Sequence, residues 1–443
     1  MNTNATTKDA YRLLHEGALT MAEIHRAGVR VDVNYCKKAI MRADRRISEL
    51  ETALMNDPLF VEWQRVYKGA KWNPWSGDQL SWFLFKHLKH KPVKETASGK
   101  AAAGADSLRK LDIPFANDYI ERAKLIKARD TYLKAFLRLE VDGFIHPTFA
   151  LNLTRTYRSS SQNPNWQNIP KGALIRRAIV PREGQQLMGA DYGGIEVAVG
   201  ACYHEDPEMI RYLTTEGTDM HRDTAEELYK LNAPYVTKQI RHAAKNQFVF
   251  PVFYGSYWEQ CAPNLWQSAI DQGLTEHLKD VGLWPFKRFE AHVHAVEERF
   301  WGERFKVYAK WKRKQWDSYC KRGYVESFTG FRFQGVMSRK DVTNYPIQGT
   351  AFHCLLQSLI WLNEHRKEQG WKSQIIGQIH DEANWDVAPG ELDRVLYWTN
   401  EISVKRLMDE WRWIIVPLKV EADVSAVDGN WSEMNAIEEE MPF

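Results

Sequence analysis

The sequence predicts an α+β fold in which strands from distant segments join one sheet, and three observations predict it. Apolar residues recur at helical spacing over most of the first 140 residues and again over 206–325. Short strand-like apolar runs lie between and after these blocks. Two of the runs lead into an aspartate: Asp191 after Leu187-Met188-Gly189-Ala190, and Asp381 after Ile375 through His380.

The first helical block, about 8–70, repeats through Leu13, Leu14, Ala18, Met21 and Ile24, then through Ala39, Ile40, Ile47 and Leu50. Gly28 is a helix stop between them, with Asp32 or Asn34 as the next N-cap. A second block covers about 77–140. Phe144–Leu151 has strand character, and 150–205 mixes strand and loop. The stretch 206–325 is mostly helical, with amphipathic segments such as Phe286–Lys314. Beyond it come a hairpin-like Val325–Gly335, a helix near Gln348–Arg366, strands at Ser373–Ile379 and Asn384–Val387, and a helix at about Leu392–Trp411. At 443 residues the chain exceeds one core, so several subdomains are expected.

Composition narrows the class. The chain is 44% hydrophobic and 26% charged, as in ordinary globular proteins. Net charge is only +3, but Lys86–Lys110 carries seven lysines and arginines against two acids around a turn-like Ser98–Gly104. Such a segment is either a solvated loop or a basic tip that follows a phosphate backbone. Five scattered cysteines (Cys36, Cys202, Cys261, Cys320, Cys354), without a Cys-x-x-Cys pair, argue against zinc and a disulfide framework. No apolar run reaches membrane-spanning length and no secretory leader is evident, so a cytoplasmic protein is expected.

The candidate chemistry lies around the two aspartates. Carboxylates at strand tips can hold two divalent ions about 3.5–4 Å apart, the arrangement used in phosphoryl transfer. Taken singly, each is also a common turn or capping residue. Between them, Arg241 and Lys245 share a helical face, as do Phe250 and Tyr254. That pattern fits a phosphate clamp beside a stacking platform, or a solvated basic stripe beside core aromatics.

The ordered set resembles the polymerase domain of family A DNA polymerases, the DNA polymerase I group. Asp191-Tyr192-x-x-Ile195-Glu196 is similar to the first carboxylate motif, and His380-Asp381-Glu382 to the second. Arg241-x-x-x-Lys245 with Phe250-x-x-x-Tyr254-Gly255 resembles the nucleotide-binding helix of the fingers. Thr156–Pro170, Asp219-Met220-His221-Arg222, Asn344–Ala351 and Val420–Trp431 agree in order. The resemblance implies a right-hand polymerase with a palm antiparallel sheet and helical fingers and thumb. It divides the chain into palm 1–30, thumb 31–139, palm 140–208, fingers 209–333 and palm 334–443.

By the same resemblance, Asp191 and Asp381 are the catalytic ligands of two Mg²⁺ ions, with Tyr192 a third metal-site residue. Arg241, Lys245 and His221 would contact the triphosphate, with Phe250 and Tyr254 completing the nucleotide site. Glu196 would exclude a sugar 2′-hydroxyl. Arg158, Asn344, Gln348 and His380 would meet primer–template DNA. Glu382 has at most a supporting part. The implied function is DNA-directed DNA synthesis from dNTPs, in a phage-like polymerase core of a bacterial or phage-infected cell. No 3′–5′ exonuclease is expected in this chain, so any exonuclease or processivity subunit would be separate. A single-subunit RNA polymerase and a binding protein that has lost catalysis are the rival readings.

This chain departs from the family pattern at Gly193-Gly194, at Val197-Ala198, at Tyr157 where the family has glycine, and at Lys340. Phe250, in place of tyrosine, implies discrimination against dideoxynucleotides. The largest departure is the five-residue step from Lys245 to Phe250, where the family steps four. At about 100° per residue, a regular helix would turn the aromatics away from the cations. A single π turn before Pro251 would absorb the extra residue, so a bulge or kink is predicted at about 246–250, with Arg241, Lys245 and Tyr254 all facing the cleft.

Overall fold

The computed structural model describes residues 5–69, 71–91, 103–109, 111 and 113–437. Most of the turn-like part of the basic segment therefore lies outside the described residues. Five antiparallel strands form the main sheet, in the order Asn435–Ala436, Val420–Val424, Gln186–Tyr192, Glu382–Val387 and Gln374–Ile379. The strands come from segments nearly 250 residues apart, as the alternation of strand and helix signals predicts. Leu187, Met188 and Ala190 are buried in the central strand while Asp191, at its end, opens to solvent.

Helix Thr7–Ala27 packs on this sheet and on the long helix Arg339–Glu368. It ends at Gly28, whose φ of +68° suits glycine, and Asp32 restarts the chain by accepting the Tyr35 N–H at 2.8 Å. The long helix starts earlier than the expected 348. Ser338 and Asp341 form a capping box at its start, and the helix runs through Pro346 despite the lost N–H. Pro346 is buried, and surrounding packing holds what local propensity would break.

The segment 207–322 folds as a run of helices, as expected. A smaller aromatic core, built on Phe60, Trp63, Phe83 and Phe115, is separate from the main one and spans Leu54–Ile120. Residues on either side of that segment, Cys36, Ala39, Tyr132 and Phe136, belong instead to the main core. Among the described residues no helix is long and apolar enough to cross a membrane.

Candidate active site

Asp191 is the next-to-last residue of the central strand and stands directly opposite Glu382 on one neighbour and Glu421 on the other. Directly opposed residues share a face, so three carboxylates meet at one end of the sheet. Asp381 joins them from the two-residue turn His380-Asp381, which links the strands Gln374–Ile379 and Glu382–Val387. His380 takes a φ of +52°, which a tight hairpin requires at its first turn position. Gln378 fixes that turn: its amide donates to the His380 carbonyl at 2.6 Å and its oxygen accepts from Ser159 at 2.6 Å.

The Asp191 carboxyl is pushed up to about 7 by loss of water around it and by the neighbouring carboxylates of Asp381 and Glu382. Glu382 also rises to about 7, chiefly through burial, with Arg176 and Asn384 acting the other way. Gly189 makes room for it, since a Cβ there would lie 2.5 Å from Glu382 Oε1. An all-oxygen donor set with unbalanced negative charge suits a hard divalent cation. Among the described residues no group of three or more His, Cys, Asp or Glu side chains is arranged to hold a metal by itself.

The Tyr192 side chain points away from the carboxylates. The ring is buried, and its hydroxyl donates to the Ser403 carbonyl at 2.7 Å beside Ser358. Its N–H is also used, on the Asp381 carbonyl at 3.2 Å, so only the main-chain carbonyl remains as a donor.

One turn beyond Asp191, Glu196 receives the Tyr254 hydroxyl and ion-pairs with Arg158. Gly349 allows this assembly, because a Cβ there would lie 2.6 Å from the Thr156 carbonyl. The close approach sets Arg158 Nε against the Gln348 carbonyl at 3.4 Å. Tyr157 keeps the left-handed backbone (φ +55°) that glycine adopts freely. Its ring pays that strain by packing 4.8 Å from Phe331 and 5.2 Å from Phe333. Asn344 Nδ2 lies 3.5 Å from the Tyr254 carbonyl. Arg158, Asn344, Gln348, Glu196 and Tyr254 therefore form one cluster, while His380 is exposed on the hairpin.

The cationic helix contains the expected interruption. A regular α-helix over Lys238–Ala244 gives way to a π turn over Lys245–Val249, then resumes at Phe250. The Phe250 N–H bonds to the Lys245 carbonyl five residues back. Lys245 Nζ consequently lies 5.2 Å from the centre of the Phe250 ring, and His221 packs edge-on to that ring at 5.6 Å. Arg241 Nε donates to Asp219 at 2.6 Å. His221 is held down to about 4 by burial and by the cations Arg241 and Lys245, and its buried Nδ1 has no hydrogen-bond partner. Arg241, Lys245, His221 and Phe250 thus form a second cluster, joined to the first through Tyr254. The sequence reading gave no role to Glu421 or Gln378, and quoted Asp219 only as part of a motif. An aspartate directly before a helical stretch is an N-cap signal, and it could have singled out Asp219.

The sheet-end carboxylates and the cationic helix are thus linked through the bond from Tyr254 to Glu196. The model of DNA polymerase family A matches residues 62–433, and the chain belongs to that family. It is 27% identical over 431 residues to DNA polymerase I of Chloroflexus aurantiacus, covering 94% of this chain and 42% of that protein. It is 30% identical over 420 residues to DNA polymerase I of Bacillus subtilis, covering 91% and 44%. The chain thus spans less than half the length of these relatives. Its fold is similar to that of the POL domain of Pol1 from M. smegmatis in complex with DNA primer-template and dNTP. The TM-score is 0.74 at 25% identity, over 94% of this chain and 70% of that one. The fold is α+β, a polymerase right hand with an antiparallel palm sheet and helical fingers and thumb.

Proposed function

We propose that this chain is a DNA-directed DNA polymerase that adds dNMP units to a primer 3′-hydroxyl. The observation that carries the reading is the carboxylate pair Asp191 and Asp381 on adjacent strand and turn at the sheet end, where the Tyr192 N–H bonds the Asp381 carbonyl at 3.2 Å, with Tyr254 of the cationic helix bonded to Glu196. Asp191, Asp381 and the Tyr192 carbonyl would hold Mg²⁺. Two such ions supply Lewis-acid activation of the 3′-hydroxyl and charge stabilisation at the pyrophosphate. Arg241 and Lys245 bind the triphosphate as cations, and neutral His221 serves as a hydrogen-bond partner. Glu196, fixed by Tyr254 and Arg158, stands where a 2′-hydroxyl would clash. Arg158, Asn344 and Gln348 face the minor groove of the nascent pair, where acceptors are common to all correct pairs. His380 lies beside the primer end.

In this reading the palm is 1–30, 140–208 and 334–443, the thumb 31–139 and the fingers 209–333. The separate aromatic core within 54–120 supports a thumb of its own. Substrates are primer–template DNA and dNTPs, and the setting is the cytoplasm of a bacterial or phage-infected cell. The test is Mg²⁺-dependent primer extension by the wild type and by Asp191→Ala. Extension by the wild type and a loss on the order of 10³-fold in the variant are expected, the scale of several kcal/mol of lost metal stabilisation. Equal extension by both would sink the mechanism, and extension with NTPs as good as with dNTPs would favour an RNA polymerase.

A further inference from the structure

Asp219 uses its two carboxylate oxygens for two different elements. Oδ1 caps the helix Met220–Tyr229, accepting the N–H groups of His221 at 3.0 Å and Arg222 at 3.1 Å. Oδ2 accepts Arg241 Nε at 2.6 Å from a helix 22 residues further on. Asp219 is the one carboxylate partner of Arg241 among the described residues. Held through Nε, the guanidinium keeps its terminal nitrogens for another ligand. The capped helix carries His221, whose Nδ1 is one of the buried polar atoms without a hydrogen-bond partner among the described residues. One side chain thus fixes both a cation and a hydrogen-bonding imidazole on the same wall of the cleft.

We propose that Asp219 is the positioning residue of the triphosphate site. It seats the His221 helix with one oxygen and orders Arg241 with the other before nucleotide arrives. The inference rests on the triphosphate roles of Arg241 and His221 given above. The physical reason is preorganisation. An arginine free in solution carries substantial rotamer entropy, and a ligand that must freeze it binds more weakly. The nearby carboxylate also costs affinity through repulsion of the phosphates, so the pair is favourable only because it directs a fork toward them.

A helix cap alone would give the same fold without this coupling, and the two are separable. Asparagine caps about as well as aspartate, but once its oxygen is used in the cap its NH₂ faces Arg241 Nε–H. For Asp219→Asn we expect the KM for dNTP to rise about tenfold, the scale of a charged hydrogen bond. The melting temperature should fall by no more than a few degrees, and the Kd for primer–template DNA should not move. Asp219→Ser, which also caps, should behave alike and serves if the asparagine variant folds poorly. In an Arg241→Ala background, Asp219→Asn should add less than about twofold, because its effect passes through Arg241. Two outcomes overturn the proposal: a normal KM in both Asp219 variants while Arg241→Ala raises it, or effects that multiply in the double variant. A normal KM in Arg241→Ala instead overturns the triphosphate reading, and the proposal falls with it.

Discussion

At the scale of single residues, Asp191 is held in an awkward charge state. Its carboxyl is raised from an ordinary 3.8 to about 7, so the folded chain binds that proton more tightly than the unfolded chain does. Without metal, this side chain therefore costs stability as pH climbs from about 4 to about 7, and the penalty is constant above that. A divalent ion held as proposed would take the place of the proton and remove the repulsion with Asp381. The rise in melting temperature on adding saturating Mg²⁺ should accordingly be larger near pH 8 than near pH 6. Asp191→Asn, which has no proton to displace, should largely flatten this dependence. Scanning calorimetry at the two pH values decides it, and an increment equal at both in the wild type would be the contrary result.

At the scale of elements, the cationic helix answers a problem set by counting. Lys245 to Phe250 is one residue too long for a shared face, and Pro251 cannot continue a regular ladder. Both facts are legible in the sequence, and together they required the π turn over Lys245–Val249. The lone proline of the long helix had no such partner signal, and Pro346 obscured a start at Arg339 that the capping box in fact sets. Deleting Asn246, an exposed residue inside the turn, would restore a four-residue step from Lys245 to the aromatic. A regular helix would then force Pro251 against the carbonyl four residues back, at a cost of about 3 kcal/mol. The deletion alone should therefore lower stability by about that amount in urea titrations. Joined with Pro251→Ala it should recover most of the stability and retain primer extension within about tenfold, since all four side chains regain their face. Deleting Ala243 instead breaks the Arg241–Lys245 spacing and should not be rescued by the proline change. Equal behaviour of the two rescued deletions would refute the bulge's role as a register corrector.

At the scale of the whole molecule, the strands that build the site were readable as short apolar runs, and the two aspartates as their tips. Their order in the sheet was not, because pairing between segments nearly 250 residues apart is decided by packing rather than local pattern. The same holds for Tyr157, whose left-handed backbone is carried by Phe331 and Phe333 from a distant hairpin. The core that enforces these contacts also buries two histidines as neutral rings. His204 accepts the Asp206 N–H at 3.0 Å and stacks on Tyr308 at 4.0 Å. His353 pairs with Thr329 at 2.7 Å and stacks on Phe331 at 4.0 Å. Burial holds both down to about 3, helped at His204 by the Lys312 cation. Because the unfolded chain takes up these protons near 6.5 and the folded chain resists them, the stability they confer is complete above that pH. It is lost progressively as pH falls toward about 3. Each neutral histidine contributes a slope of about 1.4 kcal/mol per pH unit within that window. Urea unfolding at about pH 7.5, 5.5 and 4.5 should therefore show steep loss on the acid side. His353→Gln, neutral throughout, should be less stable than the wild type near neutrality yet lose about one histidine's share of the slope. A slope unchanged by that substitution would mean that the ring is protonated in the folded molecule, and that the main core is wetter than its packing implies.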